Sequence, residues 1–508
     1  MQLEHWVSHA ASRSPDKVAI HFQGSRISYA QFDQLIDRLT WLLRYRFHVS
    51  AGERVAHLAL NNPVFLALIF ACARIGAIVV PINFRLARPE LAFLFDDARP
   101  TLLFGDSDLL TDCTGGGILP SGCRLISLDE SPVTARCDSL STLLEESRRE
   151  QSRSEGSDPT APLLVVYTSG TTGKPKGAVL DQNALRWNAL NSQHMHSLSE
   201  SDHILTVLPF FHVGGINIQT LPGFHFGATV TLLPTFSAEQ VLETITTGRP
   251  TLTVLVPTQM RALAELAQWR EADLTSLRAV TTGSTMVDRG LLESWQAHDV
   301  KTLQVYGCTE SSPIAIHQCM DDTESALGSV GKAARYCNVR IVDETGVPVP
   351  PGSRGEIQLR GPNILRYYWN NPDATAAALH DGWLSTGDIG YQGEAGEYYV
   401  VDRIKNMVIS GGENIYPAEI ERTLLQHPDI EEAAVVGLPD PKWGEIVAAV
   451  IVTRSESQLD TDNVREYLDG KVGNYKLPRR IAFLSELPRN AMGKTDYKAV
   501  RSSIISRA

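Results

Sequence analysis

The stretch 162–177, PLLVVYTSGTTGKPKG, constrains this 508-residue chain more than any other. Its first seven residues, Pro162 to Thr168, have the short, continuous apolar pattern of a buried strand. The residues after them have the composition of a polyphosphate cradle. Gly170, Gly173 and Gly177 free the backbone to turn its N–H groups toward an anion, the hydroxyls of Thr168, Ser169, Thr171 and Thr172 add donors, and Lys174 and Lys176 supply charge. A rigid strand therefore presents a nucleotide loop. It is not a Walker loop, because that pattern requires Ser or Thr directly after Gly-Lys and a helix start, whereas Pro175 comes after Gly173-Lys174. The competing reading, a flexible Gly/Ser/Thr/Lys surface loop, is weakened by the strand before it.

A chain of this length exceeds what one core usually organises, so two or more domains are expected. With 46 basic and 58 acidic residues and a formal charge of −12, it lacks the basic footprint of a nucleic-acid-binding protein. Any anionic ligand must be met by local Lys and Arg. The seven cysteines, Cys72, Cys113, Cys123, Cys137, Cys308, Cys319 and Cys337, are scattered, odd in number and without CxxC or Cys/His pairing. That usage fits reduced thiols in a cytoplasmic protein rather than disulfides or a zinc site. The N-terminal residues lack the basic-then-apolar pattern of a secretion signal. The longest apolar stretch, 65–81, is broken by Arg74 and Gly76 and closed by Pro81, which reads as a helix followed by a buried strand rather than a transmembrane segment. A loose association with lipid stays open.

Helix and strand patterns alternate through the first 110 residues: helix over 29–45, strand over 54–60, helix over 63–75 and strand over 77–81. Such alternation predicts an α/β domain with largely parallel strands. Residues 111–160 read as surface loops and a short helix. Beyond about residue 330 comes a β-rich run, VRIVDETGVPVP, GEIQLRG and GEYYVVDR. Past Arg403 the pattern changes again, to helix 417–426, strands 432–437 and 445–452, helix 462–468 and strand 481–484. The expected organisation is a large N-terminal domain of α/β subdomains with a β-rich segment, residues 1–402, and a small, mobile α+β C-terminal domain, residues 403–508. With no long linker between them, the junction reads as a hinge.

Three further strings carry chemistry. Tyr306-Gly307-Cys308-Thr309-Glu310 continues from the apolar run LQVY, at a strand terminus of the kind where α/β proteins place ligands. There Tyr306 can stack on a purine, Thr309 can donate to a phosphate and Glu310 can hold Mg2+ between phosphate oxygens. Read alone, the string is also compatible with an ordinary strand-loop. Asp388, in Ser385-Thr386-Gly387-Asp388, can grip vicinal ribose hydroxyls, and Arg403 can back it with a planar fork of donors; a turn or surface ion pair is the plainer alternative. Lys494, after Gly493 in the turn Asn490-Ala491-Met492-Gly493-Lys494, is by itself one more solvated charge.

These strings, in this order, resemble the signatures of the adenylate-forming superfamily of acyl-CoA synthetases, peptide-synthetase adenylation domains and beetle luciferase. The likeness spans residues 167–498 and is closest to fatty-acid and aryl-acid CoA ligases. The resemblance implies binding of ATP by residues 168–174 and Lys176, by Gly283, Ser284 and Thr285 around adenine, by Tyr306 and Gly307, and by Asp388 and Arg403 at the ribose, with Thr168 and Glu310 at Mg2+. It implies that Lys494 is the mobile catalytic lysine, bridging carboxylate and α-phosphate, and that Thr309 and Glu310 act beside it. His212, in Pro209-Phe210-Phe211-His212-Val213-Gly214-Gly215, matches a residue bordering the acyl carboxylate; a structural histidine is the even alternative. Lys405 matches the hinge, and the loop Gly411-Gly412-Glu413 matches the lining of the pantetheine tunnel. Trp443, Lys476 and Arg479 are further candidates for contacts to coenzyme A, against a packed Trp and a solvated basic patch. Where relatives often read Gly-Ala-Pro or Gly-Ala-Ala, this chain reads Gly283-Ser284-Thr285, which puts the acyl pocket in doubt.

The function implied is a carboxylic acid–CoA ligase. ATP and a fatty or aromatic carboxylate give an acyl-adenylate and pyrophosphate, then CoA takes the acyl group and releases AMP. A stand-alone enzyme loading a carrier protein is the alternative; a luciferase-like oxidation and a non-enzymatic nucleotide binder are more distant. The residues leave open the acid and the choice between monomer and homodimer.

Overall fold

The computed structural model describes residues 1–508 except 115–116, 130–136, 148–157, 169–174, 284–288, 323–327, 411–412, 455–456, 458, 491–492 and 507–508. The chain forms two compact units, one of residues 1–339 and 359–385, the other of residues 340–358 and 386–508.

The first unit carries two large, mostly parallel sheets, the α/β class expected from alternating patterns. Among the described residues one has nine strands, ordered Lys332–Ala333, Ile316–His317, Lys301–Tyr306, Ala279–Gly283, Leu252–Val254, His203–Thr206, Thr229–Leu232, Val18–Phe22 and Ser25–Ser28. Its six central strands are parallel. The other, of eight, runs Tyr367–Tyr368, Lys176–Asp181, Pro162–Thr168, Ile78–Pro81, Arg54–Leu58, Leu102–Gly105, Arg124–Ser127 and Cys137–Ser139. From Pro162–Thr168 onward its strands are parallel, whereas Lys176–Asp181 and Tyr367–Tyr368 are antiparallel additions.

The apolar stretch 65–81 is the helix Pro63–Ile75 followed by the buried strand Ile78–Pro81. Asn62 caps the helix, its side chain accepting from the Phe65 N–H at 3.0 Å, Pro63 occupies the first turn, and Gly76 ends it at φ +72°. The helix is apolar nearly all round because it is buried nearly all round. Its one charge, Arg74, is neutralised by Asp33 and Asp37 of the helix Tyr29–Trp41. Among the described residues no helix is long and apolar enough to cross a membrane.

Residues 111–160 differ from expectation. Besides the helices Ser107–Thr114 and Leu140–Glu146 they contain the strands Arg124–Ser127 and Cys137–Ser139, which finish one edge of the eight-stranded sheet. Strands of three or four residues are too short for an alternation to declare itself.

The second unit includes a five-stranded sheet in which Gly444–Thr453 lies between Ile430–Asp440, antiparallel, and Arg480–Leu484, parallel. Both faces are covered, and successive residues alternate between them. Val447, Ala449 and Ile451 pack with Ile420, Leu424, Val464 and Leu468 of the helices Pro417–Leu424 and Thr461–Leu468. Ala448, Val450 and Val452 pack with Val500 and Ile504 of the C-terminal helix Tyr497–Ile505.

The compact units divide before the boundary expected at 402/403. Asp388 pairs with Arg403 and Ile389 with Asp402 in an antiparallel ladder, and the Asp402 carboxylate accepts from the Ala418 N–H at 2.7 Å. Residues 386–402 are thereby bound to the C-terminal segment that begins at Arg403. Strand pairing of this kind leaves no mark in linear order.

Candidate active site

In the first unit the site grows from the C-terminal ends of parallel strands, where α/β sheets expose backbone to ligands. Gly283 ends one strand opposite Val305 of the next, so close that a Cβ on it would lie 2.5 Å from the Val305 carbonyl oxygen. Tyr306 ends that neighbour, and Gly307 turns the chain where a Cβ would collide with the Pro313 carbonyl. The loop then closes on itself, with the Cys308 N–H donating to Ser311 Oγ at 3.0 Å, and places Thr309 and Glu310 in a short 3-10 turn.

A distant segment fixes that turn. The Leu365 N–H donates to the Glu310 carbonyl at 2.6 Å, Asn363 Nδ2 donates to the Ser311 carbonyl at 2.8 Å, and the Tyr368 hydroxyl donates to Glu310 Oε1 at 2.8 Å. Burial first, and the Glu310 charge second, push the Tyr368 phenol far above its ordinary value, so it remains a donor. Tyr368 is paired with Ala178, and Lys176 Nζ lies 5.5 Å from the centre of its ring. The fold thus gathers Lys176, Tyr368 and Glu310. Sequence reasoning misses Tyr368, because 58 residues separate it from Glu310 and no motif marks it.

Thr168 sits opposite Lys176 in the antiparallel pair that carries the Gly-rich loop. Ser169, Gly170, Thr171, Thr172, Gly173 and Lys174 lie outside the described residues, as do Ser284 and Thr285. His212 is half-buried against the Phe211 ring, 4.7 Å between centroids, and precedes the short helix Val213–Asn217. A carboxylate held on a fixed turn by a phenol, near a lysine and beside glycines that bring backbones close, has the donor set for a Mg2+–polyphosphate.

In the second unit Arg403 Nε lies 3.2 Å from Asp388 Oδ1 across the strand pair. The Asp388 carboxylate is mostly buried, and the guanidinium is half exposed. Lys494 comes after Gly493, at φ +74°, in a turn closed by Asn490, whose N–H donates to the Lys494 carbonyl at 2.8 Å. Although Lys494 is exposed as a whole residue, its ammonium is held below the ordinary lysine value, first by local desolvation and then by the Arg403 charge. The exposed Lys405 is shifted the same way, by the same two causes. Asp388, Arg403, Lys405 and Lys494 therefore form one electrostatic group.

The coenzyme A candidates separate. Arg479 and Lys442 flank the half-buried Trp443 ring at 4.7 and 5.0 Å. Lys476 is instead committed to Glu419, 2.6 Å away. Glu413 is exposed at the start of the strand Glu413–Ile415, and Gly411 and Gly412 lie outside the described residues.

The model for the AMP-binding enzyme family matches residues 7–369, and that for the AMP-binding enzyme C-terminal domain matches residues 419–494. The chain belongs to the AMP-binding enzyme family. An indoleacetate–CoA ligase from Aromatoleum aromaticum is 45% identical over 504 residues, covering 99% of this chain and 98% of that protein. An anthranilate CoA ligase solved with anthranoyl-AMP superimposes with a TM-score of 0.92 at 26% identity, over 100% of this chain and 98% of the other. An o-succinylbenzoate coenzyme A synthetase from Bacillus subtilis, solved with ATP and a magnesium ion, gives 0.85 at 29%, over 99% of both. This family member is an AMP-forming acid–thiol ligase that uses ATP, Mg2+ and coenzyme A.

Proposed function

We propose that the acid activated by this ligase is an aromatic carboxylic acid. The observation that carries the proposal is the full-length, 45% identity to an indoleacetate–CoA ligase. Likeness to ligases named for anthranilate and o-succinylbenzoate accords with the aromatic branch of the sequence-based expectation.

The residue roles belong to the same proposal. Glu310, oriented by Tyr368, and Thr168 would hold Mg2+, which would offset the charge of the polyphosphate; Lys176 and residues 169–174 also engage the polyphosphate, and Thr309 donates to phosphate. Gly283 and Tyr306 border the adenine, while Asp388 and Arg403 grip the ribose. Lys494 stabilises the charge that moves from carboxylate to phosphate as pyrophosphate leaves. His212 borders the acid, Lys405 is the pivot about which the residues beyond it turn between half-reactions, releasing the Asp402–Ala418 hydrogen bond, and Gly411–Glu413 with Trp443 and Arg479 receive CoA.

The test is pyrophosphate release and thioester formation over a panel of indole-3-acetate, phenylacetate, benzoate, cinnamate, octanoate and palmitate. The expected result is a kcat/KM for at least one aromatic acid well above both fatty acids. Preference for a fatty acid would reject the aromatic assignment while leaving the ligase class intact.

A further inference from the structure

A second constellation uses none of the residues assigned to ATP. His194 is in the last turn of the helix Gln182–His196, His317 ends the strand Ile316–His317, and Cys319 lies in the next turn. Cys319 Sγ is 3.6 Å from His194 Nδ1 and 3.5 Å from His317 Nδ1. All three donor atoms fall within 4.8 Å of one another, and among the described residues this is the one group of three His, Cys, Asp or Glu side chains that does so.

The two S–N separations are what a tetrahedral centre requires. Bonds of about 2.1 Å to nitrogen and about 2.3 Å to sulfur place N and S ligands about 3.6 Å apart. Two imidazoles and a thiolate form a borderline-soft donor set, suited to zinc rather than to magnesium, which takes oxygen.

The scaffold holds the donors in place without metal. The Cys319 N–H donates to Asp322 Oδ2 at 2.6 Å, the Met320 N–H donates to the Met195 carbonyl at 3.0 Å, and Lys301 Nζ donates to the Met320 and Asp322 carbonyls. His317 is buried, Cys319 half-buried and His194 exposed, so one side of the group opens to solvent. Ile316, next to His317, pairs with Tyr306. A metal here would tie the end of the Gln182–His196 helix to the strand flanking the Tyr306 turn.

We propose that His194, His317 and Cys319 bind one zinc ion, with a water in the fourth position, as a clamp on this corner of the first unit. Binding replaces waters of the hydrated ion by two imidazole nitrogens and one thiolate sulfur and releases the thiol proton to solvent; His317 Nδ1, which lies 3.2 Å from the Gln318 carbonyl without metal, gives up that hydrogen bond, and its ring proton moves to Nε2.

Cobalt(II) is the optical probe. Titrated into the full chain, stripped with a chelator and free of any affinity tag, it should bind at one equivalent with a thiolate-to-cobalt charge-transfer band, and zinc should displace it. Cys319→Ser should abolish the band, and His194→Gln, on the exposed helix end, should weaken binding by at least about tenfold. Cys137→Ser should leave both unchanged, and zinc should raise the Tm of the parent but not of Cys319→Ser. A missing band in the folded parent, or a band that survives Cys319→Ser, overturns the proposal and leaves a thiol hydrogen-bonded between two imidazoles. Should Cys319→Ser fail to fold, unchanged affinity in His194→Gln has the same force.

Discussion

The Tyr368 hydroxyl donates to the Glu310 carboxylate at 2.8 Å, joining the edge strand of one sheet to the turn at the end of another. A hydrogen bond to a charged acceptor contributes about 1.5–3 kcal/mol, and this one also aims the carboxylate. Tyr368→Phe should lower kcat/KM about tenfold and raise the Mg2+ concentration needed for half-maximal pyrophosphate release. An unchanged Mg2+ dependence would show that Glu310 needs no such orientation.

Lys494→Ala should slow adenylation by about 10²–10³-fold, measured as carboxylate-dependent ATP–pyrophosphate exchange, and alter thioester formation from supplied acyl-adenylate far less. The Lys494 ammonium titrates below its ordinary 10.5. Its required form is charged, so adenylation is sustained below that lowered pKa and lost as pH rises through it. Lys494→Arg, which stays protonated, should carry residual adenylation to higher pH. An alkaline limb identical in both proteins would place the titrating group elsewhere.

Glu421 is a half-buried carboxyl in the second unit, accepting from the Val435 N–H at 2.7 Å and the Tyr497 hydroxyl at 3.2 Å; local desolvation pushes it from 4.5 to about 7. Between those values the folded state holds a proton that the unfolded state has released. Its contribution to stability is therefore full below about pH 4.5 and falls as pH rises toward 7, by about 3 kcal/mol at most. Glu421→Gln should flatten that part of the Tm–pH curve and raise Tm at pH 8. Parallel curves for the two proteins would refute the assignment.

Gly307→Ala should be strongly damaging, because its Cβ would meet backbone, the Pro313 carbonyl, rather than a side chain that could swing aside. A loss of about 3 kcal/mol or more, or failure to fold, is expected in thermal unfolding. A fully stable and active variant would mean that the 307–313 loop has room to shift.

Much of this fold is legible in local pattern. The Asn62 cap, Pro63, the apolar run and Gly76 define one helix to the residue, and the strand Pro162–Thr168 is equally plain. The helix expected over 29–45 ends as α at Trp41 and continues as a π turn, Leu42–Arg46. Asp388 and Arg403, expected to act together, pair across adjacent strands. Charge alone groups Lys476 with Trp443 and Arg479, but its ammonium meets Glu419, 57 residues away. Cys319 and His194 are 125 residues apart, so no spacing rule could join them as a donor set.

The order of residues by itself determined where backbone could bend, which segments had to be buried and which motifs were present, since these depend on neighbours within a few positions. Only the tertiary structure decided that Tyr368 orients Glu310, that Asp402 ties 386–402 to the C-terminal unit, and that two histidines converge on one thiol. Those relationships arise when sheet pairing and helix packing bring remote side chains within hydrogen-bonding distance, and such contacts have no period in the chain.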